Sequence, residues 1–173
     1  MDLLQRFALG EMEAFETLAR QFQGDIYALT VRIVRDPGIA EDLTVETLWR
    51  IYRARHQFRV DGNFGAWARR IATNLAIDHL RHNRPEQSLL AEPAAGPQPD
   101  RVIEREKREK IQQAFRHLPA KLQVAATLAL VEERPYDEIA DAIGTSVGAV
   151  KLRVFRAVRI LRKRLSQAGI TPE

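Results

Sequence analysis

Apolar side chains recur every three or four residues through the first half of the chain, and this spacing predicts three helices. The segments Asp36-Pro37-Gly38 and Val60-Asp61-Gly62-Asn63 separate them, because proline, glycine and Asp-Gly favour turns. No stretch alternates with the period of a strand, so we predict a small helical bundle. The inward positions are Phe15, Leu18, Phe22, Ile26 and Leu29, then Ala40, Leu43, Thr47, Ile51 and Ala54, then Phe64, Ala68, Ile71 and Leu75.

The second half of the chain shows the same helical spacing. Residues 101–110 form a mixed-charge helix start, and Leu118-Pro119 interrupts that helix. The apolar stretch 122–131 is interpreted as a core helix. A short helix over 136–143 and a long one over 147–165 follow. The sequence therefore predicts an all-α protein.

A proline-rich segment divides the two halves. Residues 85–100 contain four prolines and a glycine, which prevent a continuous helix and favour an extended linker. A long surface loop within one domain is the alternative, although structureless loops of this length are uncommon there. We predict two small helical domains, 1–84 and 101–173, joined by a flexible linker over 85–100.

Residues 136–155 have the pattern of a helix-turn-helix. Such a unit needs a small residue where its helices cross and a turn residue that tolerates positive φ. Ala140 supplies the first and Gly144 the second, and Ser146 or Thr145 can cap the second helix. The apolar residues that lock the two helices together are Ile139, Ile143 and Val150.

The last predicted helix carries charge of one sign. Residues 151–164 include seven basic residues and no acidic one, whereas a solvated helix face usually mixes signs. Leu152 and Phe155 lie outward among these cations, which suits contacts to thymine methyl groups beside phosphates. We interpret the helix as DNA-binding. A basic face that meets only solvent, or an adaptor surface for an acidic protein, is the alternative.

Composition excludes several classes of protein. The chain has 173 residues, a net charge of +4 and no cysteine, which rules out disulfides, thiolate zinc sites and thiol nucleophiles. Charge interrupts residues 1–6 too early for a secretory signal. No apolar run approaches the roughly 20 residues of a membrane helix. We expect a cytoplasmic protein with no membrane insertion.

An enzymatic function is the alternative from a different class. His79 and His82 lie close to Asp78 and could imitate the ligands of a metal-dependent hydrolase. However, no third cluster converges by spacing, and the sequence has neither a glycine-rich phosphate loop nor a nucleophile motif. We expect no catalysis, no metal and no cofactor.

Both halves together resemble the extracytoplasmic-function sigma factors, the minimal class of the sigma-70 family. The resemblance covers residues 15–84 and 111–165, which match the family's regions 2 and 4 in the correct order. It implies an alternative sigma factor whose partners are core RNA polymerase, promoter DNA and an anti-sigma factor. The matching segments are 40–43, 46–47, 64–67 and 70–81 in region 2, and 118–119, 136–140, 147–151, 153 and 156–157 in region 4.

The resemblance assigns roles to particular residues. The helix over 40–55 would dock on the β′ clamp of polymerase, although Trp49 could instead pack within the bundle and many relatives have Gln at Val45. Region 4 would contact the β flap. The implied polymerase-binding residues are Asp42, Val45, Glu46, Trp49 and Arg53.

DNA contacts are implied in both regions. The loop 59–63 would capture a base flipped from the melted −10 element, with Asp61 and Asn63 reading its edge, unless it is a plain turn. The other implied −10 residues are Arg59, Phe64, Arg69, Arg70, Arg81 and Arg84. The implied −35 residues are Ser146, Lys151, Leu152, Arg153, Phe155 and Arg156. A conventional helix-turn-helix regulator that never joins polymerase remains the alternative function.

Overall fold

The computed structural model describes residues 1–83 and 99–171, and their regular structure is helical throughout. Over these residues there are eight α-helices and no strand, so the predicted all-α class is confirmed. The helices are α1 (Leu3–Ala8), α2 (Met12–Val34), α3 (Pro37–Arg53), α4 (Phe64–His82), α5 (Pro99–Arg116), α6 (Ala120–Ala126), α7 (Tyr136–Ile143) and α8 (Val147–Gln167).

Side-chain caps fix the starts of the three helices that carry the candidate site. Asp36 accepts a hydrogen bond from the Ile39 amide (3.1 Å) at the start of α3. Asn63 caps α4, and Ser146 caps α8 by accepting from the Ala149 amide at 3.1 Å. Each cap satisfies an amide that has no partner within its helix. The turn residues seen in the sequence therefore set the helix register.

The structure differs from the sequence-based expectations in three places. Helix α1 was not predicted. Pro99 and Asp100, assigned to the linker, begin α5, where proline at a first helical position is well tolerated. The apolar segment 122–131 is not one regular helix, because a single π turn over Thr127–Val131 follows α6. The remaining linker residues, 85–98, lie outside the described residues.

Each half of the chain has its own apolar core. Within residues 1–83, α1 packs through Phe7 against the aromatic rings of α2 and α4, and Phe7 is completely buried. Within residues 99–171, Ala114 of α5 and Leu118 of the turn that follows pack against α6 and α8. These two clusters show why each half folds as a bundle.

A third apolar cluster joins the two halves. It brings the ends of α2 and α4 against α6, the π turn and α7. We call this cluster the seam. Its buried members are Leu29, Ile33, Ala76, Ile77, Ala120, Val124, Ala125, Leu128, Ile139, Ala140, Ile143, Val150 and Val154. Within the described part of the chain, no helix is long and apolar enough to cross a bilayer.

Replacing Phe7 by Ala tests the contribution of α1. Phe7 contacts the rings of Phe15, Phe58 and Phe64, with centroids 5.5–6.4 Å apart. Losing this buried ring should reduce the free energy of unfolding by about 3–5 kcal/mol, measured by urea denaturation. Leu9→Ala is the matched control, because Leu9 is exposed and its loss should cost less than about 0.5 kcal/mol. Equal effects of the two substitutions would contradict the assigned role of α1.

Candidate nucleic-acid and protein-binding surfaces

Helix α8 divides cleanly into a buried stripe and a basic face. Val150, Val154, Ala157 and Leu161 are buried, which fixes the rotation of the helix. On the outer face Leu152 is 48% exposed and Phe155 60% exposed. Lys151 and Arg156 flank them and are exposed, Arg153 is half-buried, and Arg159 lies 6.0 Å from the Phe155 ring. The face combines cations with apolar groups, as base and phosphate contacts require.

The turn between α7 and α8 has helix-turn-helix geometry. Gly144 ends α7 with φ 68°, and the Thr145 amide donates to the Ala140 carbonyl at 2.9 Å. Of the two proposed caps, Ser146 is the one that accepts a helix amide. The arrangement presents the first turns of α8 outward, as a recognition helix needs in order to enter a major groove.

The loop before α4 is a tight, polar turn whose charged groups already have partners. Arg59 donates to both carboxylate oxygens of Asp61, at 3.1 and 3.3 Å, and both side chains are exposed. The Gly62 amide donates to the Arg59 carbonyl at 2.7 Å. The Asn63 side-chain oxygen accepts from the Ala66 amide (3.0 Å). A base that enters this loop must therefore compete with hydrogen bonds made within it.

Phe64 occupies a different place from the one implied for it. It is only 6% exposed and its ring contacts Phe22, Phe58 and Trp67, with centroids 5.0–5.9 Å apart. As the first residue of α4 it points into the bundle, because the buried face of α4 begins there. In this conformation Phe64 supports the loop from below and offers no face to a base.

The arginines of α4 divide into engaged and open ones. Arg69 Nη2 lies 2.9 Å from Asp141 Oδ2 on α7. Arg70 covers Gly144, where an added Cβ would lie 2.6 Å from Arg70 Nε. Arg81 is exposed and lies 3.8 Å from the Asp78 carboxylate. Arg84 lies outside the described residues.

Helix α3 carries an exposed apolar pair with an ionic rim. Val45 and Trp49 lie one turn apart and are 57% and 56% exposed, so Trp49 does not pack within the bundle. Glu46 accepts from Arg50 at 3.1 Å and from Arg53 at 3.4 Å. Asp42 is exposed one turn earlier. Exposed Trp beside Arg is the composition of a protein-binding hot spot.

The two histidines of α4 make only local contacts. His82 Nδ1 lies 2.7 Å from the Asp78 carbonyl oxygen. The side-chain nitrogen Nδ2 of Asn83 lies 3.1 Å from Nδ1 of His79. Over residues 1–83 and 99–171, no three side chains of the metal-binding types come together.

The sequence interpretation did not identify the residues of α7 that face α4. Asp141 pairs with Arg69, and the Ala142 carbonyl accepts from the buried hydroxyl of Thr73 at 3.2 Å. On the sequence alone, Asp141 is one acidic residue on a short amphipathic helix, which is typical of a solvated face. Only the packing of the two halves reveals its partner.

The all-helical fold, with a helix-turn-helix and a basic recognition helix in its second half, defines a DNA-binding protein. Family models for Sigma-70 region 2 and Sigma-70, region 4 match residues 18–86 and 108–161. The chain therefore belongs to the sigma-70 family, and its relatives include factors of the extracytoplasmic-function class. The resemblance seen in the sequence is confirmed.

Individual relatives agree with this family. The chain is 35% identical to the RNA polymerase sigma-H factor of Pseudomonas aeruginosa, over 94% of this chain and 92% of that protein. It is 32% identical to the ECF RNA polymerase sigma factor SigW of Bacillus subtilis, over 90% of this chain and 91% of that protein. The structure of CnrH in complex with the cytosolic domain of CnrY shares the fold, with a TM-score of 0.57 and 21% identity over 95% and 96% of the two chains.

Proposed function

We propose that this protein is an alternative sigma factor that joins core RNA polymerase, recognises −35 and −10 promoter elements and starts transcription. The observation that carries the proposal is that the two halves of one chain expose two different binding surfaces. The basic face of α8 suits duplex DNA, and the Val45–Trp49 face of α3 suits a protein. A conventional regulator needs only the DNA-binding surface.

Helix α8 would read the −35 element in the major groove. Lys151 and Arg156 contribute phosphate or guanine contacts, and Leu152 and Phe155 provide apolar contacts to thymine methyl groups. Ser146, at the amino end of α8, lies where backbone amides favour a phosphate. Arg153, half-buried beside this face, is the remaining basic residue of the implied −35 set.

The loop 59–63 and α4 would bind the melted −10 element. Flipping a base costs a few kcal/mol of stacking, so the loop must compensate with hydrogen bonds. Asp61 supplies them once its pair with Arg59 opens, and Asn63 supplies its side-chain amide, whose oxygen also caps α4. Arg69, Arg70, Arg81 and Arg84 would follow the phosphates of the strand.

The exposed face of α3 would dock on the β′ clamp of polymerase, and region 4 would meet the β flap. Trp49 is the apolar anchor, with Val45 beside it and the charged groups of Asp42, Glu46 and Arg53 around it. An anti-sigma factor would act by covering these same surfaces. The protein would work in the cytoplasm, as a binding partner of polymerase rather than as an enzyme.

Promoter-specific transcription tests this proposal directly. Core RNA polymerase is supplied with a library of candidate upstream regions, with and without the protein, and transcript starts are mapped. Starts that depend on the protein and share two elements about two helical turns apart support it. Duplex binding without association with polymerase or transcript starts would instead indicate a conventional regulator.

Trp49→Ala tests the polymerase surface. Removing this anchor should weaken binding to core polymerase by about 2 kcal/mol, or roughly thirtyfold, measured by fluorescence titration of the labelled protein. Met12→Ala is the matched control, since Met12 is a comparably exposed apolar residue on α2 and should change affinity less than about twofold. Equal affinities of the two variants would exclude Trp49 from the interface.

Leu152→Ser tests readout by α8. The substitution exchanges an apolar contact for a hydroxyl at an exposed position, so the preferred −35 base should change while overall affinity falls little. Binding-site selection with both proteins measures this. Identical selected sequences would show that Leu152 does not contact a base.

A further inference from the structure

Within the proposed function, on which this inference rests, we infer that α7 occupies the strand-binding face of α4 and must leave it before the −10 strand can bind. The contact consists of Arg69 with Asp141, Thr73 with Ala142, and Arg70 over Gly144. We call it the α4–α7 contact. It makes the closed arrangement of the two halves a form of the protein with restricted access to single-stranded DNA.

On the α4 side, Arg69 is a candidate phosphate-binding group that already has an acidic partner. Arg69 is largely covered, with a side chain 24% exposed, and its guanidinium lies 2.9 Å from the Asp141 carboxylate. A guanidinium pairs with a carboxylate in much the same geometry as with a phosphate. While the pair persists, Asp141 neutralises the charge of Arg69 and occupies its Nη2 donor, so Asp141 and a strand phosphate compete for this guanidinium.

The carboxyl end of α7 adds to this competition. The last carbonyls of a helix carry a partial negative charge and need donors. The Thr73 hydroxyl satisfies the carbonyl of Ala142, and Arg70 covers the end of the helix at Gly144. The negative end of α7 therefore lies against α4 where the sugar–phosphate backbone of the −10 strand would run.

The seam and a second ion pair hold the same arrangement. Glu132, just beyond the π turn, lies 3.1 Å from Arg35 at the end of α2. The seam buries Ile77 of α4 together with Val124 and Ile139 of the second half. Separating α7 from α4 therefore requires the halves to part, and a small side-chain movement is not sufficient.

Promoter geometry requires such a separation. A compact chain of 173 residues has a radius of gyration of about 16 Å and a diameter of roughly 40 Å. Elements two helical turns apart lie about 70 Å from each other along the duplex. The closed arrangement cannot span that distance, so engagement of both elements and loss of the α4–α7 contact must occur together.

The two DNA-binding surfaces differ in access. The outer face of α8, including Lys151, Phe155 and Arg156, is exposed in the closed arrangement. The face of α4 at Arg69 and Thr73 is covered. Duplex DNA can therefore bind before the halves part, whereas the melted strand can reach α4 at Arg69 and Thr73 only afterwards.

Asp141→Arg tests the competition in the free protein. The substitution places a third cation beside Arg69 and Arg70 and turns attraction into repulsion. We expect affinity for a fluorescein-labelled oligo(dT) strand to rise about threefold to tenfold, measured by fluorescence anisotropy. A mixed-sequence duplex probe should show only the change that the control shows, because α8 is already open.

Glu106→Arg is the control for charge. It changes the net charge equally, and its exposed side chain lies on α5, which takes no part in the α4–α7 contact. Any general attraction of added cations for DNA appears in both variants. Equal gains in strand affinity for the two variants would overturn the inference.

Energy transfer between two dyes tests the separation itself. The chain has no cysteine, so Arg20→Cys and Lys163→Cys on exposed positions of the two halves accept a single dye pair. Saturating oligo(dT) should lower the transfer efficiency, since strand binding excludes α7. Unchanged transfer at saturation would overturn the inference.

Neither measurement uses polymerase. If transcription does not depend on the protein but strand affinity and energy transfer change as expected, the sigma function is rejected and the competition stands. If transcription depends on the protein but neither quantity changes, the sigma function stands and the competition is rejected.

Discussion

The seam between the two halves determines which surfaces of this protein are accessible. Complete burial of an aliphatic side chain such as Ile77 or Ile139 contributes about 1.5–3 kcal/mol. A partly exposed ion pair such as Arg69–Asp141 contributes about 0.2–1 kcal/mol, so the apolar residues dominate the stability of the closed arrangement. The ion pair contributes specificity, because it sets α7 against the arginines of α4. The rotation of α8 follows, since Val150 and Val154 belong to the same cluster.

Sequence reasoning found the helices whose signals are local. Ser146 was predicted as a cap of α8, and the segments with Asp36 and Asn63 were predicted as turns; in the structure all three residues cap helices. Helix α1 was missed because six residues are too short for a reliable period, and only the burial of Phe7 among distant rings holds it. The π turn was missed because its composition is that of an ordinary apolar helix.

The candidate site shows the same difference between features with a local sequence signal and features that depend on distant contacts. Periodicity alone placed Leu152 and Phe155 outward, and the structure agrees. The helical spacing that put Phe64 inward conflicted with the role implied for it by resemblance, and the packing follows the spacing. Arg69 and Asp141 are 72 residues apart, so no local pattern connects them. Pairing across a linker depends on how two cores meet, which single-sequence patterns do not encode.

The closed arrangement also suggests an order of events. The faces at Trp49 and at Phe155 remain exposed while α7 lies on α4, so polymerase and duplex DNA can both bind a closed protein. Once both are bound, the distance between promoter elements favours separation of the halves, because the closed chain is too short to reach. Separation then releases Arg69 from Asp141 and exposes Thr73 where the strand is being melted. A factor built this way would bind single strands weakly by itself and strongly only within the assembled complex, since the strand affinity is reduced by the fraction of closed protein.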